Sequence, residues 1–426
     1  MPADSDFTKP KRYAAPRGTA DQLPEDWPWW RHVRDTAERV SELFGYRHIA
    51  TPVIEHAGVY LRAAGEGTDI VEKEVYLFDD RGGDRLALRP EGTAGVIRAY
   101  IEHGMANLPQ PVRVYYIAPN FRYDRPQAGR YRQHVQFGVE CIGDAGPVVD
   151  AEVIDLLVTF YRELGLRDFS LKVNSIGDEN CRPQYIERLR EHYGSHLPEL
   201  CADDRVRFEK NPLRLLDCKE ERCQPVVATA PRLGDYLCDA CREHFDAVRR
   251  YLDARDISYQ IDDRLVRGLD YYTRTAFEVQ PSVEGSQSAL GGGGRYDGLV
   301  ELLGGQPTPG IGFGTGIERI MLNLKRQEVP VAPHPGPALY LAPLVPDAVP
   351  VALSIAANAR AAGVASVIGD PSRSLKAQLR HAGHLGARNA GILGKSEIAD
   401  GTITLRDMFD HSERKIPIGV VAEALG

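Results

Sequence analysis

The chain has 426 residues, 43% hydrophobic and 26% charged, a globular composition with length for two or three domains. A formal charge of −8 excludes a surface that coats nucleic acid throughout and leaves only a local basic face for such a partner. No stretch nears the roughly 18 consecutive apolar residues of a membrane span, and seven cysteines scattered over this length are not the framework of a small disulfide-rich secreted domain.

The opening "MPADSDFTKPKRYAAPRG" lacks the apolar centre of a signal peptide, so a cytoplasmic protein without membrane attachment is expected. "DWPWWRHVRDTAERVSELFG" then spaces Trp29, Val33, Ala37, Val40, Leu43 and Phe44 at helical intervals and stops at Gly45. Pro52 interrupts the next apolar run, which marks an edge strand or an interface segment. Strands are predicted at "EVYLFDD", "RLALRP", "VRVYYIAPNFRYD" and "RYRQHVQFGVECIG", and a helix at "EGTAGVIRAYIEHG". Runs of strands without strict helix alternation imply an α+β fold with a largely antiparallel sheet. Residues 178–256 turn charged and helix-like, as in "YIERLREHYG", and predict a helical insertion within a domain spanning 1–325. The sheet pattern resumes at "LVRGLDYYTRTAFEV", residues 265–279, which reads as a strand. Residues 326–336 are proline-rich and read as a linker, and 337–426 alternate strand and helix as a small α/β domain with parallel strands.

Period two in "RYRQHVQFGVE" sets Arg130, Arg132, His134, Gln136, Gly138 and Glu140 on one face. With the loop "FRYDRPQAGR" this describes a groove that is cationic at one end and acidic at the other. It suits a phosphate ester joined to something basic, with Arg122, Arg125 and Arg130 as bidentate donors. The same alternation in 265–279 groups Asp270, Tyr272, Arg274 and Glu278, preceded by Arg267 and Gly268. "GGGGRYDGL" and "GIGFGTGIERI" have neither dinucleotide nor P-loop spacing and read as glycine-rich turns at strand ends. Arg319 does not fit that reading, because a cation in the first turn of a helix is disfavoured unless an anion binds there.

Cys218, Cys223, Cys238 and Cys241 form C-x4-C and C-x2-C pairs compatible with zinc or with ordinary thiols, and "LCDACREHF" reads as continuous helix. The histidines form no metalloprotease pair, and His381 and His384 are explained by a solvated helix face. Arg373, Lys376, Arg380, Arg388 and Lys395 fall within 371–396 without an acidic neighbour and make the best candidate for a polyanion face.

Taken together, "LRPEGTAGVIRAY", "FRYDRPQAGRYRQHVQFGVE", "LVRGLDYYTRTAFEV", "GGGGRYDGL" and "GIGFGTGIERI" resemble the ordered signature segments of the histidyl-tRNA synthetases, which are class II aminoacyl-tRNA synthetases. The resemblance implies a class II antiparallel-sheet catalytic domain with a helical insertion and a C-terminal α/β anticodon-binding domain at 337–426. It implies activation of L-histidine by ATP with Mg2+, transfer to tRNA(His), and a homodimer built on the motif 1-like segment around Pro52. Glu91, Gly92 and Thr93 would meet the substrate α-amino group, Gln136 the reacting carboxylate, and Glu140, Tyr271 and Tyr272 the imidazole. Arg122 and Arg267 would flank the α-phosphate and Arg319 would hold the triphosphate. These three arginines and Gln136 would carry the catalysis, with no metal ligand among the site residues. Asp124 stands where the family has a glutamate facing the adenine amino group, and His134 where it has a phenylalanine stacked on adenine. A non-catalytic, histidine-sensing regulatory subunit of the same ancestry is the alternative; such proteins tend to lack the phosphate-site arginines and the C-terminal domain.

Overall fold

The computed structural model describes residues 12–64, 73–124, 129–282 and 289–425, so Arg125 lies outside the described residues. The chain divides into two compact units, 1–331 and 332–426. Among the described residues no helix is long and apolar enough to cross a membrane.

The first unit is built on an eight-stranded sheet whose neighbours run, in order, Arg47–His48, Val112–Phe121, Gln133–Ile142, Gly310–Gly316, Gly291–Arg295, Thr273–Pro281, Phe169–Ser175 and Gln260–Ile261. Only the two outermost pairings are parallel; the five inner ones are antiparallel, as the runs of strands predicted. Alternation separates the two faces. Phe137, Val139 and Cys141 join Tyr115, Phe277, Phe313 and Val173 in an apolar core, covered by helices Trp27–Leu43, Pro147–Glu163, Asp239–Ala254 and Ile317–Arg326. Each fully buried large side chain there contributes about 1.5–3 kcal/mol. The intervening residues, Gln136, Gly138 and Glu140, turn to the opposite face and build the site. A smaller antiparallel sheet of Ile54–His56, Arg85–Leu88 and Leu77–Asp79 precedes helix Thr93–Glu102. Buried Arg295 bonds the equally buried Asp150, which also accepts from His244 Nε2 at 2.8 Å; this anchors the end of the glycine strand just before Tyr296.

Several expectations need correction. The 265–279 segment is not a strand from its start: pairing begins at Thr273, and Arg274 has a φ of +48°. Arg295 faces Thr273 while Gly294 faces Ala276, so the extra residues bulge out and the alternation assumed for 270–274 fails. The same limit applies to Arg130 and Arg132, which precede the strand beginning at Gln133. The glycine-rich segments are not turns but central strands, Gly291–Arg295 and Gly310–Gly316. In the C-terminal unit Ser366–Ile368, Leu339–Pro343 and Asn389–Leu393 are parallel, but Thr402–Asp407 and Glu413–Pro417 add on antiparallel. "LCDACREHF" is not one helix, since the helix starts at Asp239 with Cys238 as its cap. Nor do the four cysteines gather: Cys218 and Cys223 lie with Cys201, and Cys238 and Cys241 with Cys181.

Candidate active site

A cavity of ≈ 310 Å³ lies on the polar face of the large sheet. Its cationic end is lined by Arg122, Arg130, Arg319 and Arg267, with Asp124 and His134 among them. Backbone carbonyls hold two of these guanidinium groups in place. Arg122 Nε donates to Pro90 O at 2.8 Å, and Arg319 donates from Nε to Gly129 O at 2.7 Å and from Nη1 to Ala289 O at 2.9 Å. Arg267 Nη1 donates to Glu278 Oε2 at 2.6 Å, and Arg130 pairs with Asp124. Burial, and then the charges of Arg130 and Arg122, depress the Arg319 pKa, the signature of cations crowded where an anion belongs.

The same field acts on His134. Burial, reinforced by Arg122 and Arg319, pushes its pKa down to about 3, so the ring is neutral at any physiological pH. A neutral aromatic face next to a phosphate site can stack on a base. Glu318, at the start of the helix bearing Arg319, accepts from Val135 N through Oε1 at 2.8 Å, while its Oε2 is buried without a hydrogen-bond partner. Burial raises its pKa to about 7.

At the other end, Glu91, Thr93, Tyr116, Gln136, Tyr271 and Tyr272 line the wall. Glu91 folds back on the helix it precedes and accepts from Thr93 N and Ala94 N, both at 2.8 Å. Asn120 Nδ2 donates to Gln136 Oε1 at 2.6 Å and so orients that amide. The tyrosine rings stack obliquely at 4.6 Å between centroids, both buried, because the bulge at Arg274 ends the alternation just beyond them. Glycine is required across the strand pairing. Gly312 opposes Glu140 and Gly314 opposes Gly138, and a Cβ on Gly312 or Gly314 would fall on Glu140 Oε2 or on Gln136 Nε2 respectively. Gly92 is needed for the same reason, since its Cβ would enter the Tyr116 ring.

Glu140 departs from expectation. It points to the site but lies entirely beneath the floor, enclosed by Tyr296 OH at 2.6 Å, Thr93 Oγ1 at 2.7 Å and Tyr116 OH at 3.3 Å. It is not part of the cavity surface as Tyr272 is, because three hydroxyls close over it. Burial pushes its pKa up to about 8 even though Tyr296 and Thr93 pull the other way. Arg132 also leaves the expected group: its guanidinium lies over the Tyr123 ring at 3.9 Å. Sequence reasoning missed Tyr116, Asn120, Tyr296 and Glu318. Tyr296 stands inside the quoted "GGGGRYDGL", but the pairing that aims it at Glu140 is a tertiary fact.

In the second unit, Arg373, Lys376, Arg380, Arg388 and Lys395 are all exposed, although Arg373 approaches Asp370 at 3.9 Å.

Known proteins resemble this chain along nearly its whole length. The family model for histidyl-tRNA synthetase matches residues 18–320, and that for an anticodon binding domain matches 338–426. The chain is 53% identical over 406 residues to the histidine–tRNA ligase of Dehalococcoides mccartyi, covering 95% of this chain and 97% of that one. It is 47% identical over 410 residues to that of Pelotomaculum thermopropionicum, covering 96% of each. The crystal structure of apo S. aureus histidyl-tRNA synthetase matches with a TM-score of 0.82 at 35% identity, over 97% of this chain and 100% of that one.

Proposed function

The chain belongs to the histidyl-tRNA synthetase family, whose reaction joins histidine to tRNA(His) with ATP, and from that premise we propose how its cavity divides the work. Histidine occupies the tyrosine-lined end and ATP the guanidinium end. A carboxylate oxygen of histidine attacks the α-phosphorus, forming a P–O bond as pyrophosphate leaves. The terminal adenosine hydroxyl of the tRNA then attacks the histidyl carbonyl and AMP leaves. Arg122 and Arg267 flank the α-phosphate and Arg319 holds the outer phosphates, so charge developing at phosphorus meets fixed donors. No side-chain nucleophile is needed, because positioning supplies the rate.

Gln136, held by Asn120, donates to the reacting carboxylate. Glu91 and Thr93, with the Gly92 backbone between them, take the α-amino group. Tyr271 and Tyr272 enclose the imidazole, and Glu140 acts from behind through the hydroxyls of Tyr116 and Thr93. His134 stacks on adenine and Asp124 faces its amino group. Mg2+ enters with ATP. The carboxylate Oε2 of Glu318, buried and unpartnered, is a hard oxygen donor suited to it. The ion would neutralise the outer phosphates. The exposed cations of 373–395 serve as the anticodon face, and the segment around Pro52, with Ile54 half exposed, serves a homodimer.

The observation that carries this reading is that Arg122, Arg267 and Arg319 line one cavity with Gln136 and Tyr272. The test is histidine-dependent exchange of labelled pyrophosphate into ATP. Arg267→Ala should lower the exchange rate by about 10²–10³ while histidine binding, read by calorimetry, stays within a few-fold; near-normal exchange would refute the assignment.

A further inference from the structure

Six of the seven cysteines lie in two separate clusters within the helical insertion, and neither belongs to the proposed active site. In one, Asp178, Cys181, Cys238 and Cys241 bring one ligand atom each within 4.8 Å of all the others; in the second, Cys201, Asp204, Cys218 and Cys223 do the same. The spacing is paired in both: D-x2-C with C-x2-C in the first, and C-x2-D with C-x4-C in the second. None of the cysteines is in a disulfide, and Cys201 Sγ stands 4.0 Å from Cys218 Sγ. We propose that the insertion binds two zinc ions, each held by three thiolates and one aspartate.

Geometry selects a single ion at each place. Zinc–sulfur bonds of about 2.3 Å put the corners of a tetrahedron about 3.8 Å apart, within the 4.8 Å limit seen here. A multi-iron cluster would hold its sulfurs further apart, and three soft sulfurs with one oxygen disfavour Mg2+ or Ca2+.

Backbone amides and helix N-termini face the sulfurs. Amide groups point at sulfur in both clusters: Cys201 N to Cys223 Sγ at 3.2 Å, Asp204 N to Cys201 Sγ at 3.3 Å, and Asp178 N to Cys181 Sγ at 3.4 Å. Cys181, Cys201 and Cys238 each occupy the N-cap of a helix, of 13, 9 and 16 residues respectively, where the dipole favours negative charge. Asp204 is fully buried, and its Oδ2 has no hydrogen-bond partner. A buried carboxylate oxygen without a partner is costly unless a cation satisfies it. The outer shell is in place as well, since Arg207 Nη1 donates to Asp204 at 3.0 Å and Arg274 Nη2 to Asp178 at 3.3 Å.

The sites explain how a module of short helices stays ordered. The first ties the point where the chain leaves the sheet, at 178–181, to the start of the helix that returns to it, at 238–241. The second fastens the middle of the module. Binding energy at such sites is folding energy. The module in turn grips the segment carrying Arg267 and the tyrosine pair. Arg182, next to Cys181, donates to Tyr272 O at 2.7 Å; Arg214 donates to Gly268 O at 3.0 Å, and Asn211 to Asp270 Oδ1 at 2.6 Å.

The test is elemental analysis of the full-length protein purified without added metal or chelator. Two zinc ions per chain and no iron are expected, released stoichiometrically as a mercurial titrates the thiols. Cys181→Ser and Cys223→Ser should each leave one, and Cys141→Ser, outside both clusters, should keep two. Because either cluster variant can misfold, cobalt-loaded wild-type protein gives a second reading, with intense visible bands of tetrahedral cobalt–thiolate at two ions per chain. One zinc or fewer in the wild type, iron with labile sulfide, or no such bands would overturn the proposal.

Discussion

Tyr296→Phe deletes one oxygen from beneath the cavity floor and isolates what Glu140 does there. In the native protein Tyr296 OH donates to Glu140 Oε2 at 2.6 Å, and it is the strongest of the groups holding that carboxyl pKa down against complete burial. Burial prevails and lifts the pKa from 4.5 to about 8. The sign of the pH dependence follows directly. The folded state binds the proton more tightly than the unfolded chain, so Glu140's stabilising contribution is complete below about 4.5 and is lost as pH rises through about 8. A hydrogen bond to the ionised carboxylate is worth about 1.5–3 kcal/mol, and one to the neutral acid about 0.5–1.5 kcal/mol. The difference is about 1 kcal/mol or more, which raises the pKa by about another unit in the variant. Urea denaturation of wild type and variant, at about pH 5.5 and about pH 9, measures it. The variant should lose roughly twice as much stability at the higher pH, while Glu140→Gln should flatten the pH slope across this window. Equal losses at both pH values would show that Glu140 ionises without help from Tyr296 and sink the account of the floor.

Gly314→Ala should displace the Gln136 amide, cost about 1–3 kcal/mol in denaturation and lower kcat/KM for histidine at least about tenfold in pyrophosphate exchange. A variant with native kinetics would mean that Gln136 does not touch the reacting carboxylate. His134→Phe should lower KM for ATP by about two- to tenfold, because a neutral imidazole is exchanged for a larger apolar ring; a rise in KM would remove His134 from the adenine contact. Lys376→Glu with Arg380→Glu should raise KM for tRNA about tenfold or more in aminoacylation and leave pyrophosphate exchange unchanged, with the defect shrinking as salt is raised. An effect on exchange would place the damage in the fold rather than in tRNA binding.

Much of this protein was written locally. The helical spacing of Val33, Ala37 and Val40 buried those side chains on one face, and the two-residue alternation of Gln136, Gly138 and Glu140 against Phe137 and Val139 divided a site from a core. Both periods are properties of a few consecutive residues, which is why they were legible before any folding was considered. The residue types for a phosphate site were legible too, since Arg122, Arg267 and Arg319 stand in recognisable segments. Register, burial and encounter between distant segments were not. The bulge that lets Tyr271 and Tyr272 face inward together comes from the pairing of Thr273 with Arg295, twenty-two positions away in sequence. The enclosure of Glu140 depends on hydroxyls from three other segments. The cysteines carry the same lesson. Adjacency in sequence suggested one group of four, whereas the fold sorted six into two groups by recruiting Cys181 and Cys201 with an aspartate each. Spacing along the chain fixes only which side chains can share a turn or a strand face, while long-range packing, which no local pattern encodes, chose the partners that close each site.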